Sequence, residues 1–287
     1  MSSDGPGVRW MFHSTAMVAD YDAAVARLGE LGGLRVLEYS DNPQPEIGRR
    51  GGMTWIGDNS IEIGQPTFEG GGADRFVRRT GGGLHSIAVQ VHDIERAVAH
   101  VESTGVPIAA RPMPEMFFTD PRRTDGVFVE WGAFEVHVDP RFGAELPPTE
   151  VIPLLDIRTQ AFVGSVVADP LATARRLSGL LGTPVTFEQP DAPAGEPMAG
   201  VSLADCTLAL YPLPGDDASV WGTAYSAPRC HLLALSVPEL GAARAALEAS
   251  SFGVLRDTPT MTVLDPATTG GVQVAIVDAL LPGDPRQ

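Results

Sequence analysis

The chain contains no lysine: every one of its 20 basic residues is an arginine. That excludes Schiff-base and pyridoxal-phosphate catalysis, which need a lysine amine, and a phosphate loop ending in Gly-Lys-Ser/Thr. Cysteine is nearly as scarce. Cys206 and Cys230 form no CxxC or zinc-ligand spacing, so they read as reduced, structural residues of a cytoplasmic protein. Basic side chains are outnumbered by 36 acidic ones, for a formal net charge of −16. Such a charge repels nucleic acid and anionic membrane surfaces as partners. No apolar run approaches the ~18 residues needed to cross a bilayer, and the Gly/Ser-rich start, Met1 to Val8, lacks the apolar centre of a signal peptide. What is present is 44% hydrophobic residues over 287 positions, with 32 Gly and 25 Pro. That suffices for one large domain or two ordinary ones, and the abundance of turn formers favours strands over a helix bundle.

Internal repetition organises the rest. Segments starting at Phe12, Leu84, Phe162 and Cys230 share one order: a strand, an acidic or Pro turn, an amphipathic helix, then further strands. Asp20, Asp93 and Asp169 are predicted N-caps, and Pro170 suits a first helical position. Ala23, Val25 and Leu28, and then Ala97, Val98 and Val101, predict the buried stripes of the first two helices. Gly32–Gly33, Gly105 and Gly182 are placed to end the helices. Met53–Ile56, Ser60–Ile63 and Val127–Trp131 predict strands. A lone βαβββ unit leaves a sheet face uncovered, so units pair. The expectation is an α+β fold of four βαβββ modules paired into two curved mixed sheets. Residues 1–145 make the first half, 146–159 (with Pro147, Pro148 and Pro153) a linker, and 160–287 the second half. Gly70–Gly72 and the Pro-rich stretch 190–197 predict surface loops; His92, His100 and His137 are expected at the surface.

From Ala73 to Val106 (ADRFVRRTGGGLHSIAVQVHDIERAVAHVESTGV) and from Phe117 to Trp131 (FFTDPRRTDGVFVEW) the sequence resembles the vicinal oxygen chelate superfamily. That group includes glyoxalase I, methylmalonyl-CoA epimerase, extradiol dioxygenases and bleomycin-resistance proteins, and the motifs are most similar to epimerase-like and glyoxalase-like bacterial members. The resemblance implies a divalent metal ion (Ni, Zn, Co, Mn or Fe) in the cup of a paired sheet, with ligands on the first and last strands of each unit. Carried over, the metal positions are His13, Glu62, Glu130 and His85. His85 is awkward: the family spacing falls on Ser86, one residue on. In a regular strand Ser86, Ala88 and Gln90 face the cup while His85, Ile87, Val89 and Val91 face the helix. A bulge would instead turn His85 inward. The alternation of small or polar with branched residues favours the regular strand.

The implied chemistry is that of a metal-dependent isomerase or lyase acting on a small carbonyl or acyl substrate, or one with vicinal oxygens, through a metal-stabilised enolate. Glu130 is the first choice of base and Glu62 the second. The epimerases carry a separate base on the middle strand, where this chain reads GGMTWIG around Met53, with no carboxylate in it; Glu46 is nearby in a loop. Met53, Trp55, Phe117, Phe118 and Trp131 are core residues by default, or the apolar walls of a substrate pocket. The second half has Phe162, Ala209, Leu232 and Ala275 at the equivalent metal positions, an apolar set unable to hold a cation. An iron-dependent extradiol-type dioxygenase and a non-enzymatic small-molecule binding protein are the alternatives, and a homodimer is compatible with each.

Overall fold

A computed structural model describes residues 5–37, 40–44, 48–135, 139–149, 151–189, 198–214, 225 and 227–287. Glu46, His137 and the 190–197 stretch lie outside the described residues. The first sheet holds β1 (Val8–Met17), β2 (Arg35–Val36), β3 (Ser40–Gln44), β4 (Arg49–Ile56), β5 (Asn59–Pro66), β6 (Gly83–Val91), β7 (Ile108–Met113), β8 (Met116–Thr119) and β9 (Val129–Gly132), with helices α1 (Tyr21–Gly32), α2 (Gly72–Thr80) and α3 (Ile94–Ser103). The second holds β10 (Thr159–Val167), β11 (Val185–Gln189), β12 (Met198–Ser202), β13 (Thr207–Pro212), β14 (Arg229–Ser236), β15 (Val254–Thr258), β16 (Met261–Leu264) and β17 (Val274–Val277), with α4 (Pro170–Leu181) and α5 (Leu240–Glu248). The strand order β2-β4-β5-β1-β6-β9-β8-β7 is repeated as β11-β12-β13-β10-β14-β17-β16-β15. Both are mixed sheets: β1 runs parallel to β5 and antiparallel to β6, and β10 does the same with β13 and β14.

The helices begin where side-chain caps allow. Asp20, Asp93 and Asp169 accept hydrogen bonds from the backbone of the first turns of α1, α3 and α4, satisfying N–H groups that have no partner within the helix. The buried stripe of α1 differs from the expected one: Tyr21, Ala24, Leu28 and Leu31 are buried while Ala23 is exposed. The spacing of three and four residues counts from Tyr21, directly after the cap, and so misses Ala23 and Val25. Helix α2 was not expected; only Phe76 is buried along it, so its sequence offers no apolar period. No helix among the described residues is long and apolar enough to cross a membrane.

The sheets pack through their helix-bearing faces. One apolar cluster joins Ile87, Val89, Phe117 and Trp131 to Leu177, Leu181 and Val201; another joins Leu28 and Ile61 to Leu233, Leu247 and Ile276. The two halves also clamp each other: the Met11 N–H donates to Asp205 (2.6 Å) and the Gln160 N–H to Asp58 (2.8 Å). Gly126 (φ +81°) lies at this junction, where an added Cβ would come 2.2 Å from the Pro228 carbonyl oxygen. The stretch after residue 146 is docked as well, with the Leu154 and Leu155 N–H groups bonded to the end of α1 at Glu30 and Leu31.

Candidate metal centre

Three strands place the cluster. His13 on β1 lies opposite Ala88 on β6, which lies opposite Glu130 on β9, while Thr15 lies opposite Glu62 on β5. Residues two apart on a strand, and residues paired across strands, share a face. The alternation therefore brings His13, Glu62 and Glu130 into the same cup. One ligand atom from each lies within 4.8 Å of the others. His13 Nε2 is 3.4 Å from Glu62 Oε2 and 3.8 Å from Glu130 Oε1, and His13 is 3% exposed. Arg49 Nη1 pairs with Glu62 Oε1 at 2.6 Å, and the Thr15 hydroxyl donates to Glu62 Oε2 at 3.3 Å.

These charges tune one another. Burial disfavours the imidazolium form of His13, but the Glu130 and Glu62 carboxylates outweigh it and raise its pKa. Burial would also raise Glu62, yet Arg49 and then His13 pull it down to about 2. Glu130 has no such partner; burial and the charge of Glu62 raise its pKa against the pull of His13 and Arg49. The two carboxylates are thus driven apart, one fixed as an anion and the other able to take a proton.

The site fits a divalent cation. Among the described residues Nδ1 of His13 is buried without a hydrogen-bond partner and Nε2 has only the two carboxylates, at 3.4 and 3.8 Å, an arrangement that costs free energy unless another group engages them. One imidazole and two carboxylates are the N/O donors that hold first-row divalent ions.

His85 required a correction. In the β1–β6 ladder Thr15 faces Ser86 and Ala16 faces Leu84, so His85 is the extra residue of a bulge. The regular strand is therefore excluded. Leu84, Ile87 and Val89 pack in the helix-side core, whereas the His85 ring lies edge-on to Phe76 and Phe128, with Nδ1 3.3 Å from the Ser86 hydroxyl. The bulge does not bring it into the cluster, which among the described residues consists of His13, Glu62 and Glu130. Burial and the charge of Arg49 push His85 down to about 4.

Of the expected pocket walls, Met53 lies opposite Glu62, Trp55 two residues further on the same face, and Phe118 opposite Glu130, stacked on Phe128. Phe117 and Trp131 are corrected. Both are 0% exposed, stack on each other at 5.6 Å and belong to the helix-side core. As immediate neighbours of Phe118 and Glu130 they must point the other way.

Sequence reading missed Arg49, Thr15 and Arg141, although signals existed. Arg49 is four residues before Met53, and Thr15 two after His13, so both fall on the cup face. Arg141 belongs to an Asp-Pro-Arg motif that recurs at Asp284 to Arg286. Arg141 donates to the Met11 and Phe12 carbonyls, just before His13, and Arg286 donates to the Gln160 and Ala161 carbonyls, just before Phe162. Each arginine thereby fixes a register shift in the first strand of its sheet.

The second cup repeats the frame without the donors. Phe162, Ala209, Leu232 and Ala275 form one apolar cluster, and His231 occupies a bulge equivalent to that of His85.

Residues 12–120 match the family model described as Glyoxalase/Bleomycin resistance protein/Dioxygenase superfamily. Among solved structures, the chain is similar to a triple mutant of 4-hydroxymandelate synthase from Streptomyces coelicolor, with 13% identity over 97% of this chain and 95% of that one and a TM-score of 0.67. The Mn(II)-bound glyoxalase from Novosphingobium aromaticivorans is similar over 98% of this chain and 85% of that one, at 14% identity and a TM-score of 0.61. Methylmalonyl-CoA epimerase from Streptomyces coelicolor matches 44% of this chain and 96% of its own at 23% identity, with a TM-score of 0.40. The search of curated proteins finds no significant match. The first two likenesses establish a shared fold along nearly the whole chain.

Proposed function

We propose that this chain, a member of the glyoxalase/bleomycin-resistance/dioxygenase superfamily, is a metal-dependent isomerase or lyase of the glyoxalase/epimerase type that works in the first cup. The observation that carries the reading is the convergence of His13, Glu62 and Glu130 within 4.8 Å. A divalent ion held by these residues supplies polarisation of a substrate carbonyl oxygen.

The chain's own residues then divide the work. Glu62, paired with Arg49 and held anionic, is a poor proton acceptor and serves to bind and orient. Glu130, with its pKa raised by burial, is suited to take a proton from the carbon beside the carbonyl and return it to the substrate. Met53, Trp55 and Phe118 supply the apolar surroundings that exclude water from the exchanging proton. The substrate class is a small carbonyl or acyl compound, such as a thioester or a hemithioacetal. The apolar second cup, with Phe162 and Ala275 where the first has His13 and Glu130, supports assigning the chemistry to the first half rather than to an iron site in the second.

The test combines metal content with proton exchange. Purified protein incubated with Mn2+, Co2+, Ni2+, Zn2+ or Fe2+ should retain one ion per chain, and His13→Ala should retain none. The loaded protein should exchange the proton beside the carbonyl of thioesters or hemithioacetals for solvent deuterium. Retention of the ion by His13→Ala, or absence of exchange with every ion and both substrate types, would reject the reading.

A further inference from the structure

A cavity of about 570 Å3 lies where the two halves of the chain meet, and among the described residues its lining includes none of His13, Glu62 and Glu130. That volume is within the usual ~300–1,000 Å3 range of small-molecule sites, and such sites favour junctions of this kind. One wall carries Asp20, Phe76, Arg79 and the glycines that open β6; the other carries Tyr225 and Arg229. Gly82 and Gly83 have φ of +103° and +112°, and a Cβ on Gly83 would lie 3.2 Å from Arg229 Nη2. The glycine run lets the guanidinium of one half approach the backbone of the other.

Arg229 is held firmly there. Its Nε donates to the Cys230 carbonyl (3.0 Å) and its Nη2 to the Gly82 carbonyl (3.1 Å), and the guanidinium lies 4.9 Å from the Phe76 ring and 5.8 Å from the Tyr225 ring. Yet among the described residues no carboxylate pairs with it, unlike Arg49, Arg141 and Arg286. Arg79 adds a second positive charge, also without an ion pair among the described residues; burial and, to a smaller degree, the charge of Arg79 lower the pKa of Arg229. Against them stands Asp20, whose carboxylate accepts from the Ala23 N–H at 3.0 Å as the cap of α1. His231, also on the lining, is neutral at ordinary pH because burial and Arg229 push it down to about 3. Among the described residues the lining thus carries one positive charge in excess. A desolvated guanidinium without a counter-charge is unfavourable, and here it is fixed between aromatic faces.

We propose that this cavity is a second binding site, separate from the first cup, for a small monocarboxylate with an aromatic body. The carboxylate pairs with Arg229 and Arg79, and the ring lies against Phe76 and Tyr225.

Calorimetric titration of the full chain with phenylacetate tests this. We expect one site per chain, at least about tenfold weaker binding of neutral phenylacetamide, and a comparable loss in Arg229→Gln. Binding should fall severalfold in Arg79→Gln, an exposed position that decides the matter should Arg229→Gln fail to fold. His13→Ala should bind as the parent does, even where it has lost its metal, so this site and the first cup stand or fall separately. The proposal is overturned by no binding of phenylacetate at millimolar concentration, by equal binding of the amide, or by a loss in His13→Ala with none in Arg79→Gln.

Discussion

Arg49 reaches Oε1 of Glu62 at 2.6 Å while His13 Nε2 faces Oε2 of the same carboxylate at 3.4 Å. A divalent ion entering the cup therefore competes with a guanidinium for Glu62. Removing that guanidinium should act in opposite directions. In Arg49→Met the metal-free protein loses up to about 3–5 kcal/mol, because a buried carboxylate loses its main partner, while affinity for Mn2+ rises. Thermal melts in chelator and in Mn2+ check both; an Mn2+-dependent gain no larger than that of the parent would show that Arg49 and the ion do not compete.

Glu130→Gln keeps the shape of the side chain and removes the proton acceptor. Because Glu130 meets His13 Nε2 only at 3.8 Å, against 2.6 Å for the Arg49–Glu62 pair, stability should change little, while exchange should slow by about 10²–10⁴-fold. Denaturant titration and deuterium incorporation on the same preparation separate the effects. Unchanged exchange would take Glu130 out of the proton step.

His231 and His85 together give the metal-free fold a pH dependence of one sign, which His13, its pKa raised by Glu130 and Glu62, opposes. Folded His231 ionises only near 3, whereas in the unfolded chain it does so near 6.5; for His85 the folded value is about 4. Below pH 6.5 the unfolded chain protonates these two residues while the folded one does not, so their contribution to stability falls with falling pH across this window. Glu62 adds to the loss only below about 4.5, as the pH approaches its folded value of about 2. His231→Leu should flatten the decline between pH 6.5 and 4.5 in denaturant titrations; an unaltered slope would mean that His231 is not held neutral.

Trp131 and Phe117 stack on the side of the sheet away from the cluster. Trp131→Ala should cost about 3–5 kcal/mol with no change in metal stoichiometry. If the variant keeps its stability but loses its metal, the assignment of these rings to the core is wrong.

Much of the fold was readable because its determinants are local. Asp20, Asp93 and Asp169 mark helix starts by side chain alone, and the recurring strand–helix–strand order revealed how the sheets are paired. His13, Glu62 and Glu130 were readable as a set through the family resemblance, and the alternation of each strand is the physical reason that those positions share a face. His85 was not, since a bulge depends on how β1 and β6 are matched, and the residues of β6 alone fit a regular strand equally well. Phe117 and Trp131 were assigned to a pocket on chemical character, where the parity of their neighbours Phe118 and Glu130 already pointed them elsewhere. Arg49 escaped notice for a different reason: a long flexible side chain can span the four-residue offset from Arg49 to Met53, the residue opposite Glu62, and no pattern of hydrophobicity records that reach.

The bulges at His85 and His231 occupy equivalent steps of two sheets with the same strand order, and each first strand is fixed by its own Asp-Pro-Arg arginine. The molecule thereby contains its own blank. One frame carries the donors and the other carries phenylalanine, alanine and leucine on the same backbone plan, within one chain and under one set of solution conditions. Transplanting the donors as Phe162→His, Ala209→Glu and Ala275→Glu asks whether a strand frame and three side chains suffice to capture an ion, or whether Arg49 and Thr15, which have no counterpart in that transplant, are part of what makes the first cup a site.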